Sequence, residues 1–299
     1  MAKDKTETKK ELDEEKRVIQ MKRKLIEKKY DLGKYKLVDI QSLSFTQKVY
    51  LGALFGLALK EDKETINPLC NIERKLAPTI GFSNEIMQEL IRNRIILVNP
   101  KSPIDAFMDV LEDCEFPEAY DVYKVSYIQN LNIYAHYYEV IANFGNPNKW
   151  NEGKQREALL LWKRIALEEC LECLCYYIKK AGFEFRLSLG TGSIFHSLLD
   201  HFSVSQIYGI IFRSIDSAKQ WYQELEGYKK VYTNAVLFSA IEGCNKYGKR
   251  AILGDWELKK YDRIADCQQS MISEFFFNRV LKIGDSGFYL PPTFTSIYK

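Results

Sequence analysis

Histidine is scarce: three residues in a chain of 299. That leaves few side chains suited to acid–base work near neutral pH or to zinc ligation. Proline is sparse as well, with eight residues, and no Pro-rich or Gly/Ser-rich tract marks a flexible linker. No apolar run approaches the roughly 18 residues of a membrane span. The nearest is Val49–Leu59, which ends at the charged run KEDKE, so no membrane contact is expected. Neither sign of charge dominates. Lys and Arg number 43 against 40 Asp and Glu, a net charge of +3 and a pI of about 8.3. A domain that wraps nucleic acid usually has a pI above roughly 9, so composition permits that function without arguing for it. The seven cysteines are odd in number and not spaced as a disulfide framework. With no signal peptide at the N-terminus, they read as reduced thiols in a cytoplasmic protein.

What is present is an ordinary globular composition, 46% hydrophobic and 28% charged, in a chain long enough for two domains. Residues 1–32 form a charged arm, helical or disordered, rich in Lys and Glu. Leu12, Ile19 and Ile26 fall seven apart, too short a repeat for a coiled coil. The arm is expected to be a solvated helix, with docking on a partner protein or on a second copy as the next choice. Nineteen tyrosines and seventeen phenylalanines can fill a core, line a groove or stack on bases, and number alone does not choose.

Residues 33–144 read as three short helices, a strand, an insertion and a return strand. Ser44 and Gln47 make a capping box at the head of a helix over 44–59. A weaker helix is expected over Ile66–Leu76. A third, Ser83–Arg94, takes Ser83 as its cap. Ile95–Val98 is β-branched, Ser102 opens a short helix through Leu111, and Asp121–Leu131 alternates as a return strand. This order resembles a winged helix. The resemblance implies that Ser83–Arg94 is the recognition helix. Asn84 and Gln88 would then read base edges, and Arg92, Arg94 and Lys101 would hold phosphates. Glu85 and Glu89 on the same helix argue against it.

The loop GNPNKWNEG ends this domain, and a larger helical domain is expected over 151–299. Its strongest helix is Lys154–Lys180, followed by a short strand Phe183–Leu189. The turn Gly190-Thr191-Gly192-Ser193 leads to a short helix. The stretch His201–Gln223 repeats the capping box with Ser203 and Gln206, then places Ile207, Ile210, Ile211 and Ile215 at helical spacing. Its polar lip resembles the start of a helix-turn-helix recognition helix over 193–223, so Ser205, Gln206 and Arg213 form a second candidate contact; an ordinary core helix is the plainer alternative. Helices over Tyr232–Lys249 and Gln269–Ile283 follow, then a turn and a strand or tail.

Four clusters carry residue types suited to chemistry. Cys170, Cys173 and Cys175 lie inside a helix with no second pair at zinc spacing, which favours buried thiols. Glu168, Glu169 and Glu172 lack the Glu-x-x-His partners of a di-iron bundle; His136-x-x-Glu139 is reversed and alone. The GTGS turn lacks the Lys of a phosphate loop. His196 and His201 sit on different faces, with Asp200 beside the second and no nucleophile identified. No metal and no cofactor is expected. The fold class is therefore mainly α, an N-terminal winged-helix-like domain with a few short strands followed by a larger helical domain. The function expected is a non-catalytic nucleic-acid-binding or regulatory protein contacting DNA. A helical protein–protein adaptor or homodimer through the N-terminal helix is the alternative, and an enzyme has no positive support.

Overall fold

The computed structural model describes residues 2–108, 115–132, 137–182, 189–226 and 233–297. The protein is mostly helical, with one small three-stranded antiparallel sheet. No helix among the described residues is long and apolar enough to cross a membrane. The chain falls into two compact units. The first is Met1–Leu43, Leu54–Arg74 and Ile86–Val140, and the second is Ser44–Ala53, Lys75–Glu85 and Ile141–Lys299. Helices α2 (Phe45–Ala58) and α3 (Ile80–Arg92) thus contribute residues to both.

In the first unit, α1 (Ala2–Lys29) is exposed over 13–20 but docked at its end. Ile26 is fully buried. Arg23 Nη1 donates to the carbonyls of Pro100 at 2.8 Å and Ser102 at 2.9 Å, and the Tyr30 hydroxyl donates to Pro117 O at 2.7 Å. The sheet has the order β1 (Thr65–Ile66), β3 (Tyr127–Gln129), β2 (Ile96–Val98), with both pairings antiparallel. Ile66 and Val98 both register on Tyr127, whose ring is buried. The KEDKE run forms the turn before β1. The Asp62 carboxylate accepts the N–H groups of Thr65 and Glu64, which hold its pKa below the usual range, and Lys63 takes φ +61°.

The expected helix Ile66–Leu76 is corrected to one 3-10 turn, Leu69–Asn71. Ile66 is claimed by the sheet, and Pro68 restricts the residue before it to extended backbone. Likewise the helix from Ser102 is only the turn Ile104–Ala106, because the Ser102 hydroxyl accepts from Ser126 N at 3.0 Å instead of capping. Residues 109–111 of that expectation lie outside the described residues.

Helix α3 begins three residues before the expected Ser83. Thr79 Oγ1 accepts from Phe82 N at 3.2 Å and so takes the capping role. Ser83 is buried within the helix, its hydroxyl donating to Thr79 O and accepting from Ala77 N. At the other end Arg94 takes φ +56°, the left-handed conformation that closes many helices. Its carbonyl accepts from Asn130 Nδ2 at 2.9 Å, which fixes the turn into β2.

After the short helix α4 (Tyr137–Ala142), the second unit is built on α5 (Glu152–Lys180), capped by Asn151, whose side chain accepts from Lys154 N. Trp162 on its apolar stripe is fully buried, and its Nε1 donates to Gly287 O at 3.2 Å. Helices α6 (Leu189–Leu198), α7 (Val204–Glu226) and α8 (Thr233–Ile252) follow, with α7 packing most extensively on α8 and next on α5. Both capping boxes form. Ser44 and Gln47 exchange bonds of 3.0 and 3.1 Å, and Ser203 and Gln206 exchange bonds of 3.1 and 3.3 Å. The GTGS segment is not a turn but lies inside α6, where Ser193 Oγ donates to Gly190 O. The expected strand Phe183–Leu189 falls on residues 183–188, outside the described set, apart from Leu189, which opens α6. The last long helix is α9 (Met271–Glu274), capped by Ser270 and continuing as the π-helical turn Phe275–Val280. Short helices Ser286–Tyr289 and Phe294–Ile297 stand where a strand or tail was expected.

The tip of the Phe275 ring abuts the backbone of Gly52 in α2, and a Cβ at that position would stand 2.0 Å from Cζ. Gly52→Ala should therefore destabilise the protein by about 1–3 kcal/mol through overpacking. A urea midpoint equal to that of the parent would contradict this contact.

Candidate functional site

The residues expected to contact nucleic acid are placed in three different settings. Gln88 and Arg92 are exposed, four apart on α3, and Arg94 is exposed just past its end, its guanidinium 5.4 Å from the Tyr35 ring centre. Lys101 is exposed on a turn whose geometry is set twice. Its N–H donates to Asn99 Oδ1 at 2.9 Å, and Arg23 grips the carbonyls on either side of it. These four residues belong to the first unit, whereas half-buried Asn84 groups with the second. In that second unit Glu85, on the outward side of α3, pairs with Arg164 at 2.6 Å, and the Arg164 guanidinium lies over the Phe82 ring.

The second expected contact is not assembled as a surface. Ser205 is fully buried. Its hydroxyl donates to Tyr261 O at 2.6 Å and accepts from Tyr261 N at 2.8 Å, so it has nothing to offer a duplex. The Gln206 side chain is taken by the cap. Arg213 alone is exposed, 5.7 Å over the ring of Tyr247.

Arg213 instead opens onto a groove of about 530 Å³ that the sequence did not reveal. Its floor is one face of α7, where Gly209, Phe212 and Asp216 follow at spacings of three and four and so form one row. Its opposite wall is the segment 256–261, a connector that follows α8. Ser205 ties that segment to α7 through both main-chain groups of Tyr261, and the Tyr261 ring rests directly on Gly209, where a Cβ would stand 2.7 Å from Cε2. Phe212 meets Tyr177 at 4.7 Å and Tyr261 at 5.0 Å, both edge to face. Trp256 lines the far end, 5.8 Å from Tyr247. The Tyr247 phenol is held below its usual pKa by its bond to Ser217, with Arg213 adding to the effect. Arg213, Lys219 and Lys259 line the same groove and have no ion-pair partner among the described residues. Asp216 and Glu257 line it too. The one signal in the sequence was Gly209, a residue with no side chain in the middle of an isoleucine-rich helix.

The clusters weighed for catalysis are otherwise occupied. Burial is the main force on the thiols. It pushes Cys175 up to about 11, Cys244 and Cys267 up to about 12, and Cys170 and Cys173 well above the usual thiol range. These are protonated, poorly nucleophilic groups at neutral pH. Asp200 pairs with Lys163, which holds its carboxyl below the usual range, and His196 and His201 are exposed. His136 lies outside the described residues. Among the described residues no three His, Cys, Asp or Glu side chains converge as metal ligands. Glu168, Glu169 and Glu172 on α5 each have a dedicated donor. Glu168 takes Thr79 and Arg164, Glu169 takes Arg263 and Ser273, and Glu172 takes Lys75.

No family model matches the chain, and neither a curated protein nor a solved structure resembles it.

Two expectations follow. Ser205→Ala leaves the Tyr261 carbonyl without its donor and leaves the Tyr261 N–H only a longer bond of 3.3 Å to Ser205 O, and should cost about 1–3 kcal/mol, seen as a lower melting temperature; an unchanged one would show that the strap is held otherwise. Glu172 is pushed up to about 7, mainly by burial and against the pull of Lys75. The folded state then binds a proton that the unfolded state has already lost, so stability should fall as pH rises from about 5 to about 8, by up to ~3 kcal/mol. Glu172→Gln should flatten that part of the profile in urea titrations, and an identical slope in the two proteins would exclude Glu172 as its source.

Proposed function

We propose that this is a non-catalytic, cytoplasmic, regulatory protein that binds DNA through its first unit. The observation that carries this is the order of elements. Helix α2, strand β1, a 3-10 turn, helix α3, strand β2 and strand β3 follow in sequence, and β3 lies between β1 and β2. That is the order of a winged helix, in which α3 takes the recognition position and the wing would fall between β2 and β3. Gln88 and Arg92 share the outward side of α3, Arg94 continues it, and Lys101 stands at the base of the wing. Arg23 ties that base to α1, whose residues 16–29 hold seven Lys or Arg against Glu27. Together these give phosphate contacts around one side chain, Gln88, suited to bidentate pairing with adenine. Half-buried Asn84 stands one turn before Gln88 on α3, whereas Ser205 and Gln206, whose Oγ and Oε1 are bonded inside the fold, are not part of this surface.

Two features favour a protein partner in place of DNA. Residues 99–126 carry seven Asp or Glu against Lys101 and Lys124, an acidic stretch of sequence that phosphate would repel. On α1, Val18, Met21 and Leu25 are exposed at spacings of three and four, a short apolar stripe that fits another helix.

Fluorescence anisotropy with labelled duplex at about 50 and 200 mM salt separates the two. The parent should bind with a steep salt dependence. Arg92→Glu combined with Arg94→Gly should weaken binding at least tenfold and reduce the salt slope by about 1–2. Glycine suits the positive φ at position 94, so the fold survives the change. Unaltered affinity in the folded double variant, or no binding at low salt, would reject DNA; a dimer in sedimentation velocity would then favour the α1 stripe.

A further inference from the structure

We propose that the groove on α7 in the second unit binds a nucleoside phosphate, a site independent of the DNA surface on the first unit. The volume of about 530 Å³ lies within the range of small-ligand pockets, roughly 300–1,000 Å³. Three chemistries line it side by side. Phe212, Tyr261 and Trp256 supply aromatic surface, on which any base can stack. Arg213, Lys219 and Lys259 supply cations with no ion-pair partner among the described residues. Asp216, on the floor, and Glu257 supply carboxylates.

Simpler ligands use only part of this set. Free phosphate would meet the cations but also Asp216. An apolar ligand would strip water from five charged side chains and give them nothing in return. A nucleoside phosphate satisfies all three groups: its base stacks, its amino or ribose hydroxyl groups donate to a carboxylate, and its phosphate meets the cations. The wall is also pre-formed. Tyr261 is held by Ser205 at 2.6 and 2.8 Å and seated on Gly209, so little ordering is left for the ligand to bring about. The same chemistry can arrive as a free nucleotide or as the phosphorylated end of a nucleic acid strand.

Calorimetry on the full chain tests this, with the four ribonucleoside 5′-monophosphates, adenosine, inorganic phosphate and a 5′-phosphorylated trinucleotide as probes. At least one monophosphate should bind at a single site, at least tenfold tighter than adenosine or phosphate. Lys259→Ala, an exposed position, should weaken it at least tenfold with an unchanged melting temperature, and Asp216→Asn should alter the ranking among bases. A trinucleotide tighter than every monophosphate would assign the site to a strand end, and a weaker one to a free nucleotide. No binding by any nucleotide at millimolar concentration would overturn the proposal. So would inorganic phosphate binding as tightly as the nucleotides, or affinity indifferent to both Lys259→Ala and Lys219→Ala.

Discussion

The second unit depends on the need to bury three carboxylates on one helix. Glu168 and Glu169 are buried on α5, and Glu172 lies close to them with its side chain 15% exposed. An ionised carboxylate away from water is tolerated only with donors in place. Those donors come from separate parts of the chain: Lys75 and Thr79 before α3, Arg164 from α5 itself, Arg263 and Ser273 from near the C-terminus. Leucine-for-leucine packing would accept many arrangements of these segments around α5. Matched charges accept few, because each mispairing leaves a charge unsolvated. The row thus acts less as a source of stability than as a statement of which segment belongs where.

The aromatic packing around it completes the same task by shape. Trp162 stands 5.5 Å from Phe277, and Phe45 meets Phe144, Trp150 and Phe276 edge to face. The aromatic excess that composition left unassigned is thus divided: most of the phenylalanines named here fill the core of this unit, whereas Tyr177, Phe212, Trp256 and Tyr261 line its groove.

The parts of this fold legible in the sequence are those set by neighbours within one helical turn. Ser44 with Gln47 and Ser203 with Gln206 were legible as caps because each bond spans three residues. The strand over Ile96–Val98 was legible from β-branching, and α5 and α7 from their apolar period. Misplacements arose where a distant partner outbid local preference. Ile66 left its expected helix for Tyr127, Ser102 left its cap for Ser126, and Ser83 yielded the start of α3 to Thr79. Of the candidate site residues, Gln88, Arg92, Arg94, Lys101 and Arg213 emerge on the surface, and Ser205 does not, because its partner Tyr261 is 56 positions away. The groove was invisible for the same reason: no local pattern says that a connector will lie along a helix.

Gly209 gives that groove an adjustable width. The Tyr261 ring occupies the space a side chain would take on α7, so the residue at 209 acts as a shim under the wall. Glycine sets the wall at its closest approach. Each added carbon there would lift the ring outward and broaden the channel while leaving every charged group along it unchanged. Selectivity by size and selectivity by charge are therefore written at different positions in this chain, and one can drift, or be engineered, without disturbing the other.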